Sequence, residues 1–364
     1  MQSEIIYKER FSASLDNLKV VMSILVITIH FSLPCRDAAY LGMQSFVRSV
    51  VCGVAVPTFF IISGFLFFRN FDKWDWRLFR DKVRRRVSTL LLPYLLWNTV
   101  SFALVTSARL RHEGVFDAVE VLGGGILHIF WDSNQHASET VGILGQMLPE
   151  VYPLLEPMWY LRDLMMMVIL SPIFYYLITK GGRLFLAVLI MGYVFTTANI
   201  YPIMSGSAWM FYGLGAYFSI YRKQLYTGKR AELVATSILA IALAVCLGFI
   251  DTSSIWRVHV YAVYKIIAVL AVLEVGFQTS AFFRIPNIFA KSTMFAYCFH
   301  PFVLSILVYP ITSALGLFHN VVTSSIIFFV APIMIVCLCA LIYAAYTNVL
   351  QNCKFLLKKI IHKS

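Results

Sequence analysis

The sequence predicts an all-α integral membrane protein, a single bundle of about ten transmembrane helices with both termini in the cytoplasm. Three observations carry the prediction. The composition is 60% hydrophobic and only 13% charged over 364 residues, where a soluble domain is about one quarter charged. Long charge-free runs recur along the chain. Lysine and arginine are also distributed unevenly between alternate connections.

The first span is expected at about 15–33, in LDNLKVVMSILVITIHFS. Charge-free runs place others at about 49–68, 87–108, 164–179, 184–221, 233–250, 292–318, interrupted only by His300, and 321–350. The 184–221 run is too long for one crossing, and the turn signal at Asn199–Pro202 divides it into two helices. A span near 259–280, carrying Lys265 and Glu274, completes ten.

Ten spans put both ends on one side. With cytoplasmic termini, 23 of the 30 Lys and Arg residues lie on inner segments, eight of them in 69–86. The reverse orientation leaves most positive charge outside, so the positive-inside rule selects the first. The same placement explains the net charge of +12 without nucleic acid.

The first helix is expected to remain in the mature chain, because no small-residue cleavage site follows it. The seven cysteines form no Cys-x-x-Cys pair, so neither a zinc centre nor a disulfide framework is expected. No metal is expected. Residues 1–364 read as one transmembrane domain, with 111–157 as the longest outer segment. No feature specifies an oligomeric state.

His30 stands out within its apolar run. Lys19 lies eleven residues earlier, which returns to within about 20° of the same helix face and about 16 Å lower. An ionisable group in a membrane helix normally faces a bundle interior or a watered site. Two readings of His30 are open, a hydrogen bond to a neighbouring helix or general-base chemistry. His300, in MFAYCFHPFVL, precedes a proline that frees a carbonyl. Its alternatives are a kink-associated hydrogen bond and a site role.

The inner stretch RNFDKWDWRLFRDKVRRR combines cations with Trp74, Trp76 and Phe79. It reads either as an interfacial helix on anionic lipid or as a phosphate-binding rim formed by Lys82, Arg84, Arg85 and Arg86. Arg162 and Asp163 open a membrane helix at the outer face. As neighbours about 100° apart, they are not expected to pair with each other. At least one should face the bundle, unless both serve an interfacial belt with Trp159 and Tyr160. Glu274 must be protonated or partnered, and Lys265, nine residues away, is too distant to be that partner.

Together these segments resemble the acyltransferase-3 family of membrane acyltransferases, which acylate cell-surface carbohydrates and related acceptors. LDNLKVVMSILVITIH is similar to that family's first-helix signature of a basic residue, ten others and histidine, with Lys19 where arginine is more usual. VPTFFIISGFLF resembles the second-helix pattern, at Phe59, Phe60, Ser63 and Gly64. KVRRRVSTLLLPYLLW resembles the basic loop before a Pro-Tyr helix start, and MWYLRDL and Phe299–Pro301 fit later motifs. Lys82 and Arg85 satisfy the family's pair of basic residues three apart, whereas alignment on Pro93 puts Thr89 at the second position.

The resemblance implies a cytoplasmic acyl-CoA donor, commonly acetyl-CoA, and a carbohydrate or lipid-linked glycan hydroxyl as acceptor at a bacterial inner membrane. It implies that Lys82, Arg85 and Arg86 hold coenzyme A phosphates and that Lys19 orients the donor. His30 would act as general base or acyl carrier, and Arg162 would stabilise the oxyanion or hold the acceptor. His300, Glu274, Asp163 and Ser63 are further candidates. Some family members carry an added esterase-like domain, which is not expected here. A multi-pass transporter of a lipid-linked or anionic solute and an inactive relative serving as an assembly partner are the rival readings.

Overall fold

A computed structural model describes residues 2–113, 125–141, 147–196, 205–251 and 254–361. In chain order the helices are α1 (Gln2–His30), α2 (Ala38–Phe46), α3 (Ala55–Phe68), α4 (Trp76–Arg86), α5 (Leu92–Glu113), α6 (Ile126–Trp131) and α7 (Trp159–Ile169). They continue as α8 (Ser171–Thr196), α9 (Gly206–Ile220), α10 (Arg230–Phe249), α11 (Ile255–Thr279), α12 (Asn287–Val303), α13 (Tyr309–Ala314) and α14 (Val321–Ile361). Single π turns at Val47–Val51, Val87–Leu91 and Leu304–Val308 interrupt three otherwise continuous rods. Between α6 and α7, β1 (Asn134–Val141) and β2 (Met147–Tyr152) form an antiparallel ribbon.

Among the described residues, eight helices are long and apolar enough to cross a membrane: Tyr7–His30, Ala38–Phe68, Trp76–Ala108, Ser171–Thr196, Arg230–Phe249, Ile255–Thr279, Asn287–Ala314 and Val321–Val349. The fold is therefore the helical membrane protein the composition demands. Gly182 (φ 52°, ψ −125°) breaks α8 internally, and α9 has only 15 residues. The expected turn at Asn199–Pro202 lies outside the described residues.

Two spans begin earlier than the charge-free runs because a helix does not end where lipid does. Asp37 caps α2 by accepting from Ala39 N at 2.8 Å and Tyr40 N at 3.4 Å, and the π turn then carries Arg48 within the rod. Asp75 caps α4 through Arg77 N at 2.7 Å and Leu78 N at 3.3 Å. Each carboxylate satisfies amides that the first turn leaves open. The basic stretch is thus itself helical. Trp76 is 64% exposed, as an interfacial anchor should be, while Trp74 stacks on Phe71 at 5.2 Å.

The chain divides into two compact units, residues 1–55 with 275–364, and residues 56–274. In the first, α1 packs on α12 and α14, which also pack on each other. Val20, Ile27, Phe31, Val303, Phe328 and Ile335 form the centre of its core. Asn17 fastens the base of α1, donating to Phe283 O at 2.8 Å and accepting from Ile285 N at 2.9 Å.

In the second unit, α3 and α9 approach so closely that side chains are excluded. A Cβ on Gly64 would overlap the Tyr212 carbonyl oxygen and lie 2.9 Å from its carbon. One on Gly215 would overlap Ile61 O and lie 2.8 Å from Phe65 N. The obstacles are backbone, so no rotamer change relieves them, and small residues are what permit such membrane-helix contacts. Gly64→Ala and Gly215→Ala are each expected to cost about 1–3 kcal/mol. Their combined cost should be less than the sum, since one separation of the helices relieves both. Thermal melting in detergent checks this, with Gly248→Ala, which meets nothing within 4 Å, as the silent control.

Candidate active site

The first unit brings two imidazoles beside each other. α1 ends at His30, four residues before Pro34, and Tyr309 closes that end. The Tyr309 hydroxyl donates to His30 O at 3.2 Å and accepts from Ser32 N at 3.4 Å. His300 comes from α12 and is fully buried. The ring centroids of His30 and His300 lie 5.5 Å apart, with planes inclined by 40°.

Pro301 fixes the chemistry of His300. Lacking an N–H, it leaves the Tyr297 carbonyl without its helical donor, and His300 Nδ1 lies 2.8 Å from that oxygen. A carbonyl only accepts, so Nδ1 carries the proton and Nε2 carries a lone pair in the neutral ring. Nε2 is buried without a hydrogen-bond partner. The kink-associated hydrogen bond therefore exists, and it turns the other nitrogen into an unused acceptor.

His30 makes no hydrogen bond among the described residues through its ring. Arg48, half-buried on the Val47–Val51 π turn, acts on it electrostatically. The expected basic companion on its own helix, Lys19, is instead paired with Asp16 at 3.0 Å, and its side chain is 36% exposed. Asp16, one turn before Lys19 on the same helix, engages that ammonium. Arg48 was visible in the sequence only as one of seven cations remaining outside the inner segments.

The second unit places three of the four predicted rim residues, Lys82, Arg85 and Arg86 but not Arg84, in the wall of a cavity of about 350 Å³ that Arg69, Asn70 and Thr89 also line. Lys82 is spent within the protein. Its ammonium donates to Phe67 O and, at 2.7 Å, to Arg69 O, closing the C-terminus of α3 where Asn70 turns to φ 76°. A cation there also meets the negative end of the helix dipole. Arg85 is exposed, Arg86 is half-buried, and neither guanidinium has an ion-pair or hydrogen-bond partner among the described residues. Arg86 acts electrostatically on the buried Tyr160 and Tyr212. Ser63 hydrogen-bonds Tyr160, and Tyr212 shares a hydrogen bond of 2.8 Å with Ser171.

Arg162 and Asp163 correct the expectation that they would not pair. Arg162 Nε donates to Asp163 Oδ1 at 3.1 Å, and both side chains are almost wholly buried. Burial of a charge requires a partner, and the long arginine side chain curls across the 100° between their Cα–Cβ directions. Arg162 Nη1 also reaches Trp131 O at 2.8 Å and Val151 O at 3.2 Å. Asp163 Oδ2 accepts from Ser205 N at 2.8 Å, at the start of α9. The pair joins α6, β2, α7 and α9.

Glu274 is likewise partnered inside the protein. It accepts from Thr227 N, from Thr227 Oγ1 at 3.0 Å and from Gly228 N at 3.0 Å, which organises the 222–230 connection. Lys265 is not its partner and lies over the Tyr261 ring at 4.5 Å. No group of three potential metal ligands occurs among the described residues.

Comparison with known proteins identifies the family. The family profile described as an acyltransferase domain, acyltransferase 3, covers residues 12–344. The succinoglycan biosynthesis protein ExoH of Rhizobium meliloti (strain 1021) is 24% identical over 254 residues, which is 66% of this chain and 63% of that protein. The chain thus spans somewhat less than two thirds of that relative's length. No solved structure matches. The profile takes in both imidazoles, the basic cavity and the Arg162–Asp163 pair, and the chain belongs to the acyltransferase-3 family.

Proposed function

We propose that this protein transfers an acyl group, acetyl in the simplest case, from cytoplasmic acyl-CoA to a hydroxyl of a surface polysaccharide or its lipid-linked precursor. It acts in a bacterial inner membrane with both termini in the cytoplasm, the orientation favoured by the charge distribution. The observation that carries the reading is the His30–His300 pair, rings 5.5 Å apart, with His300 fully buried and His30 half-buried, within an acyltransferase domain. The similarity to a protein of succinoglycan biosynthesis supports a polysaccharide acceptor.

Arg85 and Arg86, free of internal partners, bind donor phosphates at the basic cavity, where guanidinium groups suit multidentate contact with phosphate. Lys82 shapes that cavity by holding the end of α3. His30 removes the acceptor hydroxyl proton as the oxygen attacks the thioester carbonyl. The ester C–O bond forms, the C–S bond breaks, and the proton passes to the departing thiolate of coenzyme A. Arg162 is a positioning residue that holds the outer ribbon, where the acceptor is selected.

Purified protein in detergent should bind acetyl-CoA, and bind dephospho-CoA more weakly. Arg85→Glu with Arg86→Glu should weaken acetyl-CoA binding by at least tenfold, since two favourable charge contacts become repulsive. Isothermal calorimetry reads both. Surface polysaccharide from cells lacking the gene should lose one ester. Absence of acetyl-CoA binding together with an unchanged ester content overturns the assignment and favours transport.

A further inference from the structure

We propose that His300 is the positioning residue of a histidine dyad, accepting a hydrogen bond from the His30 ring through Nε2 and so presenting the other His30 nitrogen to the acceptor hydroxyl. This rests on the proposed role of His30 as base.

The geometry supports the pairing. An N–H···N bond of about 2.9 Å between imidazoles puts their centroids about 5.2 Å apart, and here they are 5.5 Å apart. His300 Nδ1–H is held by Tyr297 O at 2.8 Å, so its tautomer is set and Nε2 can only accept. Nε2 is buried and has no partner, and an unsatisfied buried acceptor is costly. With one His30 nitrogen and Nε2 turned onto the line between the centroids, the 5.5 Å separation leaves about 3.2 Å between them, the long end of a hydrogen bond. Among the described residues, the groups recorded against His30 are His300 from α12, the Tyr309 hydroxyl from α13, engaged with the His30 carbonyl, and Arg48 from the π turn after α2. None of these is a carboxylate, so His300 supplies the acceptor that a carboxylate supplies in other base-orienting pairs.

The dyad works through differential binding. As His30 takes the hydroxyl proton it becomes an imidazolium, and its hydrogen bond to the His300 lone pair becomes charge-assisted. The interaction is stronger in the transition state than in the ground state, which raises kcat while leaving donor affinity unchanged. Pro301 belongs to the device. An amide hydrogen at position 301 would compete for Tyr297 O and release the Nδ1–H of His300.

Two side chains separate this role from kink stabilisation. In His300→Asn, the amide nitrogen replaces Nδ1 and keeps the bond to Tyr297 O, but nothing reaches His30. In His300→Gln, the amide oxygen occupies the place of Nε2 and accepts from His30. His300→Asn should lower kcat about ten- to a hundredfold, the scale of misorientation effects, with KM for acetyl-CoA within twofold of wild type. His300→Gln should recover at least tenfold of a hundredfold loss. Pro301→Ala, which keeps both imidazoles, should lower kcat with KM unchanged.

Asn equal to or better than Gln overturns the dyad, as does wild-type kcat in Pro301→Ala. The Pro301 variant decides the matter even if neither His300 variant folds. If His30→Ala retains wild-type transfer, the proposed function itself fails. If His30→Ala is inactive while His300→Asn keeps wild-type kcat, only the dyad fails.

Discussion

His30→Ala is expected to lose acyl transfer by about 10²- to 10⁴-fold, the contribution of a positioned general base. At 1.36 kcal/mol per decade this is about 2.7–5.4 kcal/mol of transition-state stabilisation. The fold should tolerate the change. The His30 ring makes no hydrogen bond among the described residues, while the backbone carbonyl at that position, which Tyr309 secures at 3.2 Å, remains. KM for acetyl-CoA should therefore move little and kcat should fall, the signature of an interaction made only in the transition state. Ester formation on acceptor polysaccharide, measured beside acetyl-CoA binding, reads both quantities. A His30→Ala protein that binds donor normally and transfers at the wild-type rate removes the imidazole from the mechanism.

That histidine was legible because lipid makes every ionisable side chain conspicuous. Its relation to His300 was not, since the residues lie 270 positions apart and only the packing of α1 on α12 brings them together. Pro301 did announce the freed carbonyl, because a missing N–H is a local fact. Lys82, Arg85 and Arg86 read as one cluster and do line one cavity, but the end of α3 captures the Lys82 ammonium, a demand set by tertiary neighbours. Span positions followed from charge-free runs, but their starts did not, because Arg48 and the α4 cations lie within rods that continue past the first charge. The pairing of β1 with β2 had no equivalent signal.

Arg162→Ala is expected to be the most damaging single change outside the dyad, at about 3–5 kcal/mol, the cost of stranding one partner of a buried pair. Arg162 is 1% exposed and Asp163 0%. The truncation leaves the carboxylate uncompensated and removes the donor to Trp131 O and Val151 O. Because those carbonyls belong to α6 and β2, the outer segment should loosen, and limited proteolysis should cut the ribbon faster. Arg162→Lys should be only partly better, since one ammonium cannot reproduce a fork directed at Asp163 and two carbonyls. Arg162→Met combined with Asp163→Asn should recover at least half the lost melting temperature: the charge is gone, and the asparagine oxygen can still accept from Ser205 N, now 2.8 Å from Asp163. If Arg162→Ala instead keeps the wild-type melting temperature and proteolysis pattern but loses transfer, the guanidinium is not a strut. Its Nη2, 3.1 Å from Asp163 Oδ1 as an ion pair but without an aligned hydrogen bond, would then be the group that meets the oxyanion.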